Sequence, residues 1–171
     1  GGIYSYEGDH GTIQFRSGGS FDGSRLTLPV DDITEFCRQF CQQFGYEELQ
    51  FQVQNRTGSV TAVQQLSGVP ISGCGLTLRF ERGMLTSVSG AHVNLEDAVP
   101  APAERMTCVT ALVRFLDYRT TAGIVCGAVE EIRCVYELHS GPSLRLLPMW
   151  RIDTDTYTYF VDCATGEVTR H

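Results

Sequence analysis

Between Leu144 and Val168 the chain reads LRLLPMWRIDTDTYTYFVDCATGEV, and this stretch has little freedom in what it can become. Charged and hydroxylic residues alternate with apolar ones on both sides of Asp153-Thr154-Asp155. Each half is therefore a strand with one face to bury and one to wet. The corner Asp162-Cys163-Ala164-Thr165-Gly166 supplies a carboxylate able to accept backbone N–H bonds and a glycine able to take positive φ, after which Glu167-Val168 resumes a strand. Met149 and Trp150 point to opposite sides of one strand, and Trp150 reads as core. The stretch is scaffold and carries no catalytic group.

The same reasoning along the rest of the chain yields one order of elements twice. Tyr4-Ser5-Tyr6-Glu7 and Thr12-Ile13-Gln14-Phe15-Arg16 flank Gly8-Asp9-His10-Gly11, so residues 1–27 read as a short hairpin or the remnant of a preceding domain, with a glycine and serine run from Ser17 to Ser24 as spacer. A first unit, 28–97, opens with a helix N-capped by Asp31 and ending near Gly45. Hairpin strands follow at 49–54 and 59–66 around Asn55 to Gly58. A second pair at 76–81 and 84–89 is joined by Arg82-Gly83, and Gly68 to Gly73 connects the two hairpins.

Ala98 to Ala103 contains two prolines and reads as a linker. The second unit, 98–171, opens with a helix from Ala103 to about Tyr118. Met106, Val109, Leu112, Val113 and Leu116 form its apolar stripe, and Thr120-Thr121-Ala122-Gly123 stops it. Strands at 129–138, 144–152, 157–161 and 167–170 complete the unit, with a turn at Ser140-Gly141-Pro142 between the first two. The fold class expected is α+β: tandem units, each with one helix covering one face of its own antiparallel sheet.

With 171 residues the chain can hold one core or two small ones. A hydrophobic fraction of 42%, with nine Phe and seven Tyr, is that of a globular protein. A formal charge of −7 argues against nucleic acid as partner, because backbone phosphates need clustered positive charge. All 13 basic residues are arginine. The absence of lysine removes Schiff-base and P-loop chemistry, both of which use the amine. No apolar run is long enough to span a bilayer. The Gly1-Gly2 start is compatible with an upstream signal or anchor that has been removed.

Candidate chemistry is sparse. The seven cysteines include no close CxxC pair. Cys37 and Cys41 share a helix face with Ile33, Phe36, Phe40 and Phe44 and read as small buried hydrophobes, while disulfides between distant cysteines stay open. His10, His92, His139 and His171 are scattered and belong to no metal motif. No GxSxG elbow presents a serine. Glu130-Glu131 and Asp153/Asp155 read as turn or edge carboxylates rather than an acid–base pair. No catalytic, cofactor-binding or metal-binding residue is assigned. Tyr157, Tyr159 and Arg151 are the candidates for contact with a protein partner, since aromatic rings bury large area with few rotamers to lose.

Leu147-Pro148-Met149-Trp150-Arg151-Ile152, followed by Tyr159-Phe160-Val161-Asp162 and Thr165-Gly166-Glu167-Val168, resembles the end of a PepSY-like module. The resemblance covers about residues 104–168. It is weaker over 28–95, where Gly68-Val69-Pro70-Ile71 stands at the proline-containing strand entrance. The arrangement is similar to YycH/YycI-type accessory proteins of bacteria, and the repeated helix and four strands resemble the β-lactamase-inhibitor architecture. Such a resemblance implies a non-enzymatic, extracytoplasmic, membrane-anchored regulatory role through contact with a membrane sensor kinase or an envelope protein. Restraint of a peptidase or other enzyme is the alternative it implies. A small-ligand-binding or structural envelope protein is the third reading.

Overall fold

A computed structural model of the chain describes residues 3–16, 19–100, 106–139 and 144–171. The chain divides into two compact units, Gly1–Gly68 with Gly73–Leu95, and Val69–Ser72 with Glu96–His171. The expected class is found: each unit sets one helix against a sheet of mainly antiparallel strands, and in each the helix is followed by four strands.

In the first unit β1 (Ile3–Gly8), β2 (Gly11–Arg16) and β3 (Ser20–Pro29) precede α1 (Ile33–Phe44), and β4 (Tyr46–Gln54), β5 (Thr57–Leu66), β6 (Val69–Glu81, whose first four residues belong to the second unit) and β7 (Met84–Ala91) follow it. The sheet runs β1-β2-β3-β7-β6-β5-β4. The spacer expected up to Ser24 is therefore strand from Ser20 onward. β3 lies between β2 and β7, with Gly23 opposite both Ile13 and Val88. A Cβ at Gly23 would overlap the Ile13 side chain, so the small residues that resemble a spacer fit a crowded central strand.

Three two-residue turns have both residues at positive φ: Asn55-Arg56 (51° and 61°), Ser67-Gly68 (52° and 77°) and Arg82-Gly83 (52° and 81°). This is the twist that suits tight hairpins. The Ser67-Gly68 turn lets β6 begin at Val69, so the expected Gly68–Gly73 connection is largely strand. At Gly83 the φ requirement is joined by crowding. A Cβ there would collide with the Arg56 guanidinium, which donates to the Val30 carbonyl at 2.7 Å.

The N-cap of α1 is Asp32 rather than Asp31. Its backbone is extended and its Oδ1 accepts from the Glu35 amide at 3.0 Å, three residues on. Gly45, at φ 71°, closes the helix as expected. Ile33, Cys37 and Cys41 are buried on the face of α1 that meets Val60, Leu78 and Phe80 of the sheet.

The second unit holds β8 (Ala98–Pro100), α2 (Cys108–Thr121), β9 (Val129–His139), β10 (Leu144–Thr154), β11 (Thr158–Asp162) and β12 (Val168–Arg170). β10 pairs antiparallel with β9 and β11 and, near its start, parallel with β8. The proline-containing stretch thus begins as a short strand, while the rest of the expected linker and the turn expected at 140–142 lie outside the described residues. Within this unit Ile71, fully buried, stands opposite Tyr136 of β9 in parallel pairing.

The corner after β11 has the expected chemistry. Asp162 Oδ1 accepts from the amides of Ala164 (2.7 Å) and Thr165 (2.9 Å), and Gly166 takes φ 75° before β12. The turn at 154–157 is held by the Thr154 hydroxyl, which donates to the Tyr157 carbonyl at 2.8 Å.

α2 departs most from expectation. It begins at Cys108 behind a Thr107 N-cap, and its buried residues are Ala111 and Phe115, flanked by half-buried Leu112 and Tyr118. Val109, Val113 and Leu116 of the expected stripe point outward instead, 73%, 52% and 41% exposed. Phe115 sets the rotation. Its ring lies 5.0 Å from that of Tyr159 and fills the space over Ile152 and Val161, a large aromatic outweighing two valines in buried area.

Candidate functional site

The three residues expected to meet a partner do not form one surface. Tyr159 is fully buried between Phe115 and Tyr118, which corrects its assignment as a contact residue: strand alternation puts it beside Val161 on the helix-covered face. Tyr157 is 51% exposed in the turn, with the Arg170 guanidinium 4.7 Å above its ring centre. Arg151 stands on the opposite sheet face from Tyr159, its Nε donating to Asp153 at 3.1 Å. Asp153 also accepts from the Thr158 hydroxyl at 2.6 Å.

Asp155, the other carboxylate of the turn, accepts twice from the Gly127 amide, at 2.9 and 3.1 Å. Both aspartates are thus spent on holding the turn. Trp150 is core on one side and anchored on the other, its indole N–H donating to the Met106 carbonyl at 2.8 Å.

The outward ridge of α2 is one feature that sequence periodicity placed on the wrong side. Val109, Val113 and Leu116 recur at helical spacing on a helix whose other side is fixed by buried aromatic packing. The ridge is exposed, on a helix packed from behind through Ala111 and Phe115.

The first unit carries a concave site that the sequence did not reveal. A cavity of about 330 Å³ opens between the β2–β3 hairpin and the C-terminal end of α1. Phe15, Phe21, Phe40, Phe44 and Tyr46 supply its aromatic wall, with Ile13 and Val88 behind them. The Phe40 and Phe44 rings are 4.8 Å apart, while Phe15 and Phe44 remain 44% and 42% exposed. The Tyr46 hydroxyl donates to the Ala91 carbonyl at 2.8 Å, so it offers the cavity only its ring. Burial, with Cys74 and Cys41 nearby, holds this hydroxyl well above its ordinary pKa.

His92 and Arg16 are the two nitrogen-bearing side chains on the wall. The His92 ring lies 5.7 Å from that of Tyr46, its Nδ1 has no hydrogen-bond partner, and burial lowers its pKa. Its backbone N–H donates to the Gly19 carbonyl at 2.9 Å, tying the hairpin to the chain beyond β7. The one signal in the sequence was the spacing of Phe40 and Phe44. Tyr46 follows closely on β4, but Phe15 and Phe21 lie 19 or more positions earlier on other strands, outside any local pattern.

Other candidate chemistry resolves into structure. No disulfide links the seven cysteines, all of which are among the described residues. Burial, with Cys41 adding to it, pushes the Cys37 thiol up to about 12, and burial pushes Cys41 up to about 11, so both are inert near neutrality. His139 and His171 converge on the Glu137 carboxylate, at 3.4 and 3.8 Å, a meeting not expected from sequence. Among the described residues no group of three His, Cys, Asp or Glu is placed to hold a metal ion. No helix there is long and apolar enough to cross a membrane.

No protein-family model matches the chain, and no curated protein matches it. Among solved structures it is similar to the C-terminal domain of YpeB from Bacillus megaterium, at 13% identity and a TM-score of 0.44, over 99% of this chain and 88% of that one.

Proposed function

We propose that this chain is a non-catalytic, PepSY-like binding module of the bacterial cell envelope, working outside the cytoplasm by holding a partner protein. The observation that supports it is the outward ridge of α2, where Val109, Val113 and Leu116 offer contiguous apolar surface on a preorganised helix. An amphipathic segment of the partner, laying its apolar side along the ridge, is the occupant that this geometry suits. The residues that resemble PepSY modules surround the same helix, from about 104 to 168. Of the two roles that resemblance implies, restraint of an enzyme is favoured over accessory signalling, because occlusion needs only a rigid apolar face. Arg151 and Tyr157 are proposed as polar and aromatic rim contacts.

The test uses the full-length protein in its native membranes, with a Val113→Asp/Leu116→Asp variant checked for an unchanged circular dichroism spectrum. The captured protein is purified and titrated against both forms. At least tenfold weaker binding to the variant is expected, together with lower activity of a captured enzyme when the wild-type chain is added. Equal binding to the two forms removes the ridge from the interface, and a captured enzyme whose activity is unmoved removes restraint.

A further inference from the structure

We infer that the aromatic cavity of the first unit is a binding site for a medium-chain monocarboxylate, with the chain among the phenylalanine rings and the carboxylate on Arg16. The inference is independent of the protein-partner reading, since no residue of α2 takes part.

Size is the first consideration: a volume of about 330 Å³ lies within the range of small-molecule sites, roughly 300–1,000 Å³. The second is chemistry. Phenylalanine and aliphatic side chains dominate the wall, Tyr46 has its hydroxyl occupied, and a ligand body without polar groups is what such a wall accepts. Phe15 and Phe44 leave more than two-fifths of their surface to water, apolar area that an alkyl chain would cover.

Charge selects the head group. Arg16 lines the cavity and is exposed. Among the described residues it makes no ion pair, although the chain has 20 Asp and Glu. Its guanidinium can donate two parallel N–H bonds to one carboxylate. His92 also lines the cavity, but its Nδ1 is enclosed by the protein, so the head group is left to Arg16. The walls come from β2, β3, α1, β4 and β7 with the residue just after it, so the site is built into the first unit's fold.

The experiment is calorimetric titration of the full chain with decanoate below its micellar concentration, and with decan-1-ol as the uncharged counterpart of equal length. Decanoate is expected to bind at least tenfold more tightly than the alcohol. Arg16→Gln, a change at an exposed position, should abolish that preference. Phe15→Ser/Phe44→Ser should weaken both ligands tenfold or more, and nuclear Overhauser contacts from the decanoate chain should fall on the phenylalanine rings. Equal affinity for acid and alcohol, an unchanged preference in Arg16→Gln, or contacts elsewhere on the protein would each overturn the assignment.

Discussion

His92 joins stability to pH through one side chain. Its pKa is lowered in the folded protein by burial, from an ordinary value of 6.5. Above that value the ring is neutral in both folded and unfolded chains, so it contributes no pH dependence. As pH falls below it the unfolded chain takes up the proton first, and stability is lost until the folded-state pKa is passed. The loss amounts to no more than about 1.4 kcal/mol per pH unit across that window. Thermal midpoints at pH 7.5 and 5.5 should differ more for the wild type than for His92→Gln. The same difference in both would mean that the acid sensitivity lies in other groups.

At the scale of elements, α2 separates packing from display. Phe115 is fully buried in contact with Tyr159, whereas Val113, two positions earlier, is 52% exposed. Phe115→Ala should therefore cost about 3–5 kcal/mol, the loss for a large core side chain that leaves a cavity. Val113→Ala should stay within about 0.5 kcal/mol. Urea denaturation measures both. A Val113→Ala loss as large as that of Phe115→Ala would show the ridge to be covered in the native protein.

The hairpin turns are elements of another kind, decided by two residues each. Asn55-Arg56, Ser67-Gly68 and Arg82-Gly83 set register by their left-handed backbone, and Arg56 then reaches from one turn to the Val30 carbonyl beside another. Only the first part of that device is visible in a sequence, because the cross-turn contact spans 26 positions.

For the whole molecule, the division of the chain does not follow the proline-containing stretch alone. Val69–Ser72 belongs to the second compact unit although it precedes that unit's helix by more than 30 positions. Its Ile71 is fully buried opposite Tyr136. A fragment of residues 96–171 lacks this segment. It should melt at a lower temperature and less cooperatively than the corresponding transition of the full chain, followed by the fluorescence of Trp150. An unchanged melting temperature would show the segment to be dispensable for the second unit.

A few neighbouring residues decide a good part of this fold. Alternation specified most of the strands, Gly45 ended α1, and the Asp162 carboxylate with Gly166 built the corner before β12, because each needs only hydrogen bonds or φ values within a few positions. Tertiary structure decided what depends on competition for space. Phe115 rather than the valines took the buried face of α2, strand alternation buried Tyr159, and five separate segments assembled one aromatic cavity around His92. Burial is set by which distant surfaces fit together, and that quantity has no expression within a single helical or strand period.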